Sequence, residues 1–320
     1  MSDEEKNRLR KDSTRLLSCK DISATKDMVN ILSECLFKLF NEQSKTTLKN
    51  RAESDARIVA QMIFTKTINL NKMMDGFGFT SMDNIKLNKI IDPIIIAVLV
   101  RNIFETVGMF NLVYVNPKNE DEKIIHYNLW VIAGLKFRQR FANKITSPEN
   151  VLKQQQEEAT IADMTEVIYN SEVFKNLDES GKKTILNKIK EKDYKVKIDD
   201  NKVLPLSWQD LIPLMGIDEN LMGDMYTYFS LYSHPSNVSV FQFSDLFMKS
   251  DPHFFRMTTF NVLNAIKLIC CFISDYIKVF PDTLDSFNKL PLIYQIAINY
   301  HCSFLKKDKS TINDALSSLN

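Results

Sequence analysis

Arg101 and Glu105 stand four residues apart, just past the apolar run Ile94 to Val100. On a helix that spacing sets a guanidinium and a carboxylate one turn apart on one face, close enough to pair. An arginine fork of this kind grips a carboxylate or phosphate through two parallel hydrogen bonds, and a neighbouring carboxylate can orient a base. Ile94, Ala97, Val98, Gly108 and Leu112 share the face, so the pair reads as enclosed rather than solvated. Asn102 and Thr106 adjoin it. Breaking a buried ion pair costs on the order of 3–5 kcal/mol, so both charges need answering.

Far downstream, Tyr226, Ser230 and His234 follow at i, i+4 and i+8. One helix face then carries a phenol, a hydroxyl and an imidazole. Ser233 and Ser236 flank the histidine, and Pro235 stops the helix at His234. The imidazole sits at the C-terminal, negative end of the helix dipole. Serine and histidine alone do not make a triad, and no nucleophile-elbow sequence is present.

Other chemistry has less to stand on. The histidines His126, His234, His253 and His301 never fall in a zinc-protease spacing. Glu122 and His126 can share a face but lack a third ligand, so neither a metal nor any other cofactor is expected. Gly76 and Gly78 lack the remainder of either nucleotide-binding fingerprint and read as a helix-to-helix turn, with Ser81 capping a short helix beyond. Lys136, Arg138, Arg140 and Lys144 read as the solvated C-terminal end of a helix running to Ile145.

The elements that must hold these residues are helical. Asp92 and Pro93 form a helix start and Asn116-Pro117 its end. Apolar stripes at helical period mark 26–43, 46–74, 254–280 and 290–306. The alternation of Tyr194 to Leu204 around Asp199-Asp200-Asn201 is the only strand candidate. The expected fold is all-α, a multi-helix bundle with at most one short β-hairpin near 194–204. Residues 1–75 read as an N-terminal helical hairpin whose first twenty residues are peripheral. Residues 76–320 read as the main helical domain, with a charged surface excursion at 178–202 and a short helix or tail from Ser310 to Asn320.

The 320 residues carry 41 Lys and Arg against 40 Asp and Glu, a formal charge of +1. No global field draws the chain toward nucleic acid or anionic lipid. The five cysteines have no ligand spacing, the N-terminus has no signal-peptide core, and the apolar run Ile94 to Val100 is far shorter than the ~18 residues that span a bilayer. A cytoplasmic protein without membrane contact is expected, its oligomeric state open.

The Arg-x-x-x-Glu helix at Arg101 and Glu105, followed by Trp208 and by Tyr226-x-x-x-Ser230-x-x-x-His234-Pro235-Ser236, resembles an uncharacterised family of all-helical bacterial proteins. That family is loosely similar to the HEPN nucleotide-binding and ribonuclease superfamily. The resemblance implies that Arg101, Glu105 and His234 converge between helices, in a defence or toxin-like setting. HEPN ribonucleases carry an arginine followed a few residues later by histidine; here His253-Phe254-Phe255-Arg256 runs in reverse order.

Three functions follow from these residues. In the first, a binding or regulatory pocket of Arg101, Asn102, Tyr226, Ser230, Ser233, His234 and Ser236 receives a small anion, a nucleotide or a nucleic-acid end. The second is a metal-independent hydrolase or nuclease, with His234 as general acid or base, Glu105 orienting it and Arg101 stabilising an oxyanion. The third is an interaction scaffold in which the charges satisfy one another.

Overall fold

Capping residues and prolines punctuate the chain where its helices begin. The computed structural model describes residues 3–141, 147–248 and 252–306. In chain order the elements are α1 (Asp3–Ser18), α2 (Ile22–Gln43), α3 (Arg51–Met73), β1 (Phe77–Thr80), β2 (Lys86–Ile90) and α4 (Pro93–Phe110). A π-helical turn, Asn111–Val115, leads to α5 (Glu120–Gln139), α6 (Pro148–Asn170), α7 (Glu172–Asn176), α8 (Glu179–Glu191), β3 (Val196–Asp199), β4 (Lys202–Pro205) and α9 (Leu211–Leu214). The chain closes with α10 (Glu219–Met222), α11 (Met225–Ser233), α12 (Asn237–Met248), α13 (Pro252–Val279), α14 (Leu284–Asn288) and α15 (Leu292–Leu305). Among the described residues the fold is all-α, with two small antiparallel hairpins.

The starts have local causes. Asp21 accepts from the Ala24 amide and Asn50 from the Glu53 amide, each answering one of the donors a helix start leaves open. Asp92 accepts from the Ile94 amide at 2.8 Å ahead of Pro93. Ser147 does the same for Asn150, with Pro148 in the first turn.

The described chain divides into two compact units: 1–110 joins 215–320, while 111–214 stands as the other. In the first unit, α13 is the central element. Its residues Ile266, Leu268, Ile269, Cys270, Phe272 and Tyr276 are all buried, leaving little polar face along its middle; a helix apolar nearly all round is a core helix. It packs against α2, α4 and α15, while α2 and α3 pair and α11 lies on α4. Asn261 of α13 donates to the Pro93 carbonyl at 2.9 Å, pinning the start of α4. In the second unit, Ile125, Leu129 and Ile132 of α5 meet Ile168, Ile185, Val196 and Val203. There the hairpin expected near 194–204 is β3–β4, pairing Ile198 with Val203 around Asp200.

Three expectations need correction. The segment after Gly76 is the hairpin β1–β2, Phe79 opposite Leu87, and not a turn into a helix capped by Ser81. Gly76 is needed there: its φ is +71°, and a Cβ would lie 3.1 Å from the Ile90 carbonyl oxygen. Residues 3–18 form a helix that buries Leu16 and Leu17 rather than a peripheral tail. Finally, Pro93–Val115 is long and apolar enough to cross a membrane by length and composition, although Arg101 interrupts it; 61% of its most apolar window is buried within the protein. Ile145 and the expected terminal helix from Ser310 lie outside the described residues.

Candidate functional site

The 3.6-residue period of α4 turns Ile96, Val100, Ile103, Phe104 and Val107 into the core. Arg101 and Glu105 fall beside that stripe, at its rim. Their side chains are 22% and 25% exposed, so the pair is half-buried and not enclosed as its apolar neighbours had implied. Val98, one turn before Arg101, is itself exposed.

Arg101 Nε donates to Glu105 Oε1 at 3.0 Å, and Nη2 donates to the Tyr226 hydroxyl at 3.0 Å. The phenol in turn donates to Glu105 Oε1 at 3.5 Å. The guanidinium lies 5.1 Å from the centre of the Tyr226 ring, which packs at 5.5 Å on Phe104. Guanidinium, carboxylate and phenol thus close a triangle that ties α11 to α4.

A fourth member comes from α3. Lys66 donates its ammonium to Thr106 Oγ1, and Thr106 donates to the Asn102 carbonyl at 2.7 Å. Among the described residues Lys66 makes no ion pair. Burial pushes the ammonium down to about 8 while Glu105 pulls the other way. Two cations therefore attend one carboxylate, and one of them bonds only a hydroxyl. Lys66 sits in Thr65-Lys66-Thr67 on an amphipathic helix, and nothing local sets it apart.

The remaining predicted site residues do not join this group. Asn102 is exposed on α4. Ser230 donates to the Tyr226 carbonyl at 2.6 Å and Ser233 to the Phe229 carbonyl at 3.3 Å, both inside α11. Ser236 bonds the Leu231 carbonyl at 3.0 Å and accepts from the Ser239 amide, shaping the entry to α12. His234 is exposed, in extended backbone just past α11. Tyr226 lies two helical turns away, roughly 12 Å at 1.5 Å per residue. The structure brings together Arg101, Glu105 and Tyr226, and leaves His234 apart.

No family model, curated protein or solved structure matches this chain. The likeness to HEPN proteins rests on its motif residues alone.

For metal chemistry, no group of three or more His, Cys, Asp or Glu side chains gathers among the described residues. The Glu122–His126 pair is real but solitary: His126 Nε2 lies 3.8 Å from Glu122 Oε1, both nearly sealed from solvent. Among the cations near the end of α5, Arg138 pairs with Glu157 and Lys136 donates to the Ile189 carbonyl at 3.1 Å. They serve packing within the second unit.

Proposed function

We propose that this protein is a helical binding module that receives an anionic phosphate group at Lys66 and Arg101, with Tyr226 at the edge of the site. A nucleotide is the ligand class. The observation that carries this is the position of Lys66. Its charge is kept half-buried beside a second cation, with a hydroxyl and not a carboxylate as its hydrogen-bond acceptor. An anion entering there would meet one surplus positive charge and an arginine fork suited to phosphate oxygens. An interaction scaffold is the second reading, supported by the way Glu105 and Tyr226 already fill the fork of Arg101. The hydrolase has no comparable support, since His234 lies outside the cluster.

The test is thermal unfolding with inorganic pyrophosphate or ADP at low ionic strength, where charge attraction is least screened. A ligand at 100 times its Kd stabilises by about 2.7 kcal/mol, which raises Tm by several degrees. That rise is expected in the wild type and in His234→Ala, and lost in Arg101→Gln and Lys66→Met. A flat response to both probes in the wild type ends the binding proposal and leaves the scaffold. A rise lost in His234→Ala but kept in Arg101→Gln would move the site to the other end of α11.

A further inference from the structure

The two long helices nearest the end of the described chain share a cleft in the first unit. On α13, Ile273, Ile277 and Lys278 recur at helical spacing, and Ile298, Cys302 and Lys306 do the same along α15 and just past its end. Each helix therefore turns one face to the same space. Leu284 and Phe287 of α14 close another side of it. The space is about 400 Å³, within the range of small-molecule sites.

Its polar character is uneven. Lys278 and Lys306 line the cleft, and among the described residues no acidic side chain does. Both ammonium groups donate to one oxygen, Oδ1 of Asp275, at 3.3 and 3.2 Å. That carboxylate is sealed from solvent. Burial works against the Lys306 charge, yet the field of Asp275 helps to outweigh it and the ammonium is held above its ordinary value. Two cations against one carboxylate leave a surplus of one positive charge. Each ammonium carries three donors, so both keep donors for a further acceptor after bonding Asp275.

We propose that this cleft binds a small amphipathic carboxylate, its apolar body against Ile273, Ile277, Leu284, Phe287 and Ile298 and its anionic end on Lys278 and Lys306. Apolar walls alone accept any greasy molecule, and two lysines alone accept any anion. Their juxtaposition asks for both properties in one ligand, and the surplus of a single charge matches a monoanion. A medium-chain fatty acid has that form. The cleft shares no residue with the cluster of Lys66 and Arg101, and the inference does not rest on the phosphate reading.

The test is calorimetric titration of the full chain with decanoate, beside decanol and acetate. Decanoate should bind. Decanol keeps the body and drops the charge, and should bind about tenfold more weakly; acetate keeps the charge and drops the body, and should not bind. Lys306→Met should weaken decanoate about tenfold, and Lys278→Met, which removes the more exposed lysine, about threefold, with decanol unchanged in both. Arg101→Gln should bind decanoate as the wild type does. The location is read without any variant: Cys302 lines the cleft and is partly exposed while the other four cysteines are buried, so saturating decanoate should slow its alkylation by N-ethylmaleimide. A wild type that does not bind decanoate, decanol that binds as tightly, or Cys302 alkylated at the same rate with and without decanoate would overturn the proposal.

Discussion

Lys188, Asp193 and Lys195 in one unit and Lys66, Arg101 and Glu105 in the other are built from the same parts, two cations and a carboxylate. In the first set Asp193 bridges both lysines, accepting from Lys188 at 2.5 Å and from Lys195 at 2.6 Å, while the Tyr194 amide donates to it at 2.8 Å. Burial opposes its charge, yet the two lysines outweigh burial and hold the carboxyl down to about 2. In the second set Glu105 is taken up by Arg101 and Tyr226, and the perturbed group is the lysine that bonds only Thr106. One arrangement lowers the energy of its charges inside the chain; the other leaves a cation at a cost. The first is what a scaffold needs, and the second is what a site for an incoming anion looks like.

Asp193→Ala should give the largest effect, because it strips the shared acceptor from two lysines whose side chains are only 9% and 14% exposed. Removing one partner of a buried pair costs about 3 kcal/mol at the lower end of the usual range. Tm should then fall on the order of 5–10 °C. A loss under one degree would mean that the lysines turn to solvent without penalty, and the contrast between the clusters would fail.

Acid separates the same cluster from its background. The Asp193 carboxyl is depressed in the fold, so its stabilisation is present above pH 4 and lost as pH falls toward 2. A second acid limb comes first. Burial pushes His301 down to about 4, and its Nε2 bonds the Leu16 carbonyl at 3.2 Å, so the fold holds it neutral. Below pH 6.5 the unfolded chain binds that proton and the native chain does not, so stability drops between pH 6.5 and 4, by about 3 kcal/mol for so buried a group. Urea unfolding across this range should show both limbs. His301→Gln should flatten only the upper one, Asp193→Asn only the lower. A single limb unaffected by His301→Gln would remove the histidine from the account.

How much of this was legible in the chain depended on whether the partners were neighbours in sequence. Arg101 and Glu105 pair at i and i+4, and the spacing alone discloses it. The stripes of α2, α3 and α13 and the stop at Pro235 are local in the same way, as is the β3–β4 hairpin with its Asp200 turn. The resemblance set His234 beside Arg101, and Tyr226, two turns earlier on α11 and the residue that does bond Arg101, entered only as a member of the same motif. Lys66 gave no sign, since its meaning comes from Thr106 and Glu105 on another helix. The β1–β2 hairpin is short, and Phe77 and Phe79 are exposed on it; without a buried face, alternation has little to specify. Residues 3–18 contribute only two buried apolar side chains, Leu16 and Leu17, too few to mark a period.

The finest test of the contrast is Lys66→Met, which keeps the length of the side chain and removes its charge. At pH 7 the native lysine is protonated at a cost, so the variant should melt at the same temperature as the wild type or about a degree or two higher. Lys188→Met, taken from the satisfied cluster, should melt lower. Alkali gives the sign independently. The Lys66 ammonium loses its proton near pH 8 in the fold and near its ordinary value of 10.5 when unfolded, so between those limits the unfolded chain binds more protons and wild-type stability rises with pH relative to Lys66→Met. A Lys66→Met variant that melts several degrees lower at pH 7, with no relative gain for the wild type in alkali, would make Lys66 a structural cation like Lys188. The cluster would then hold helices together and do nothing more.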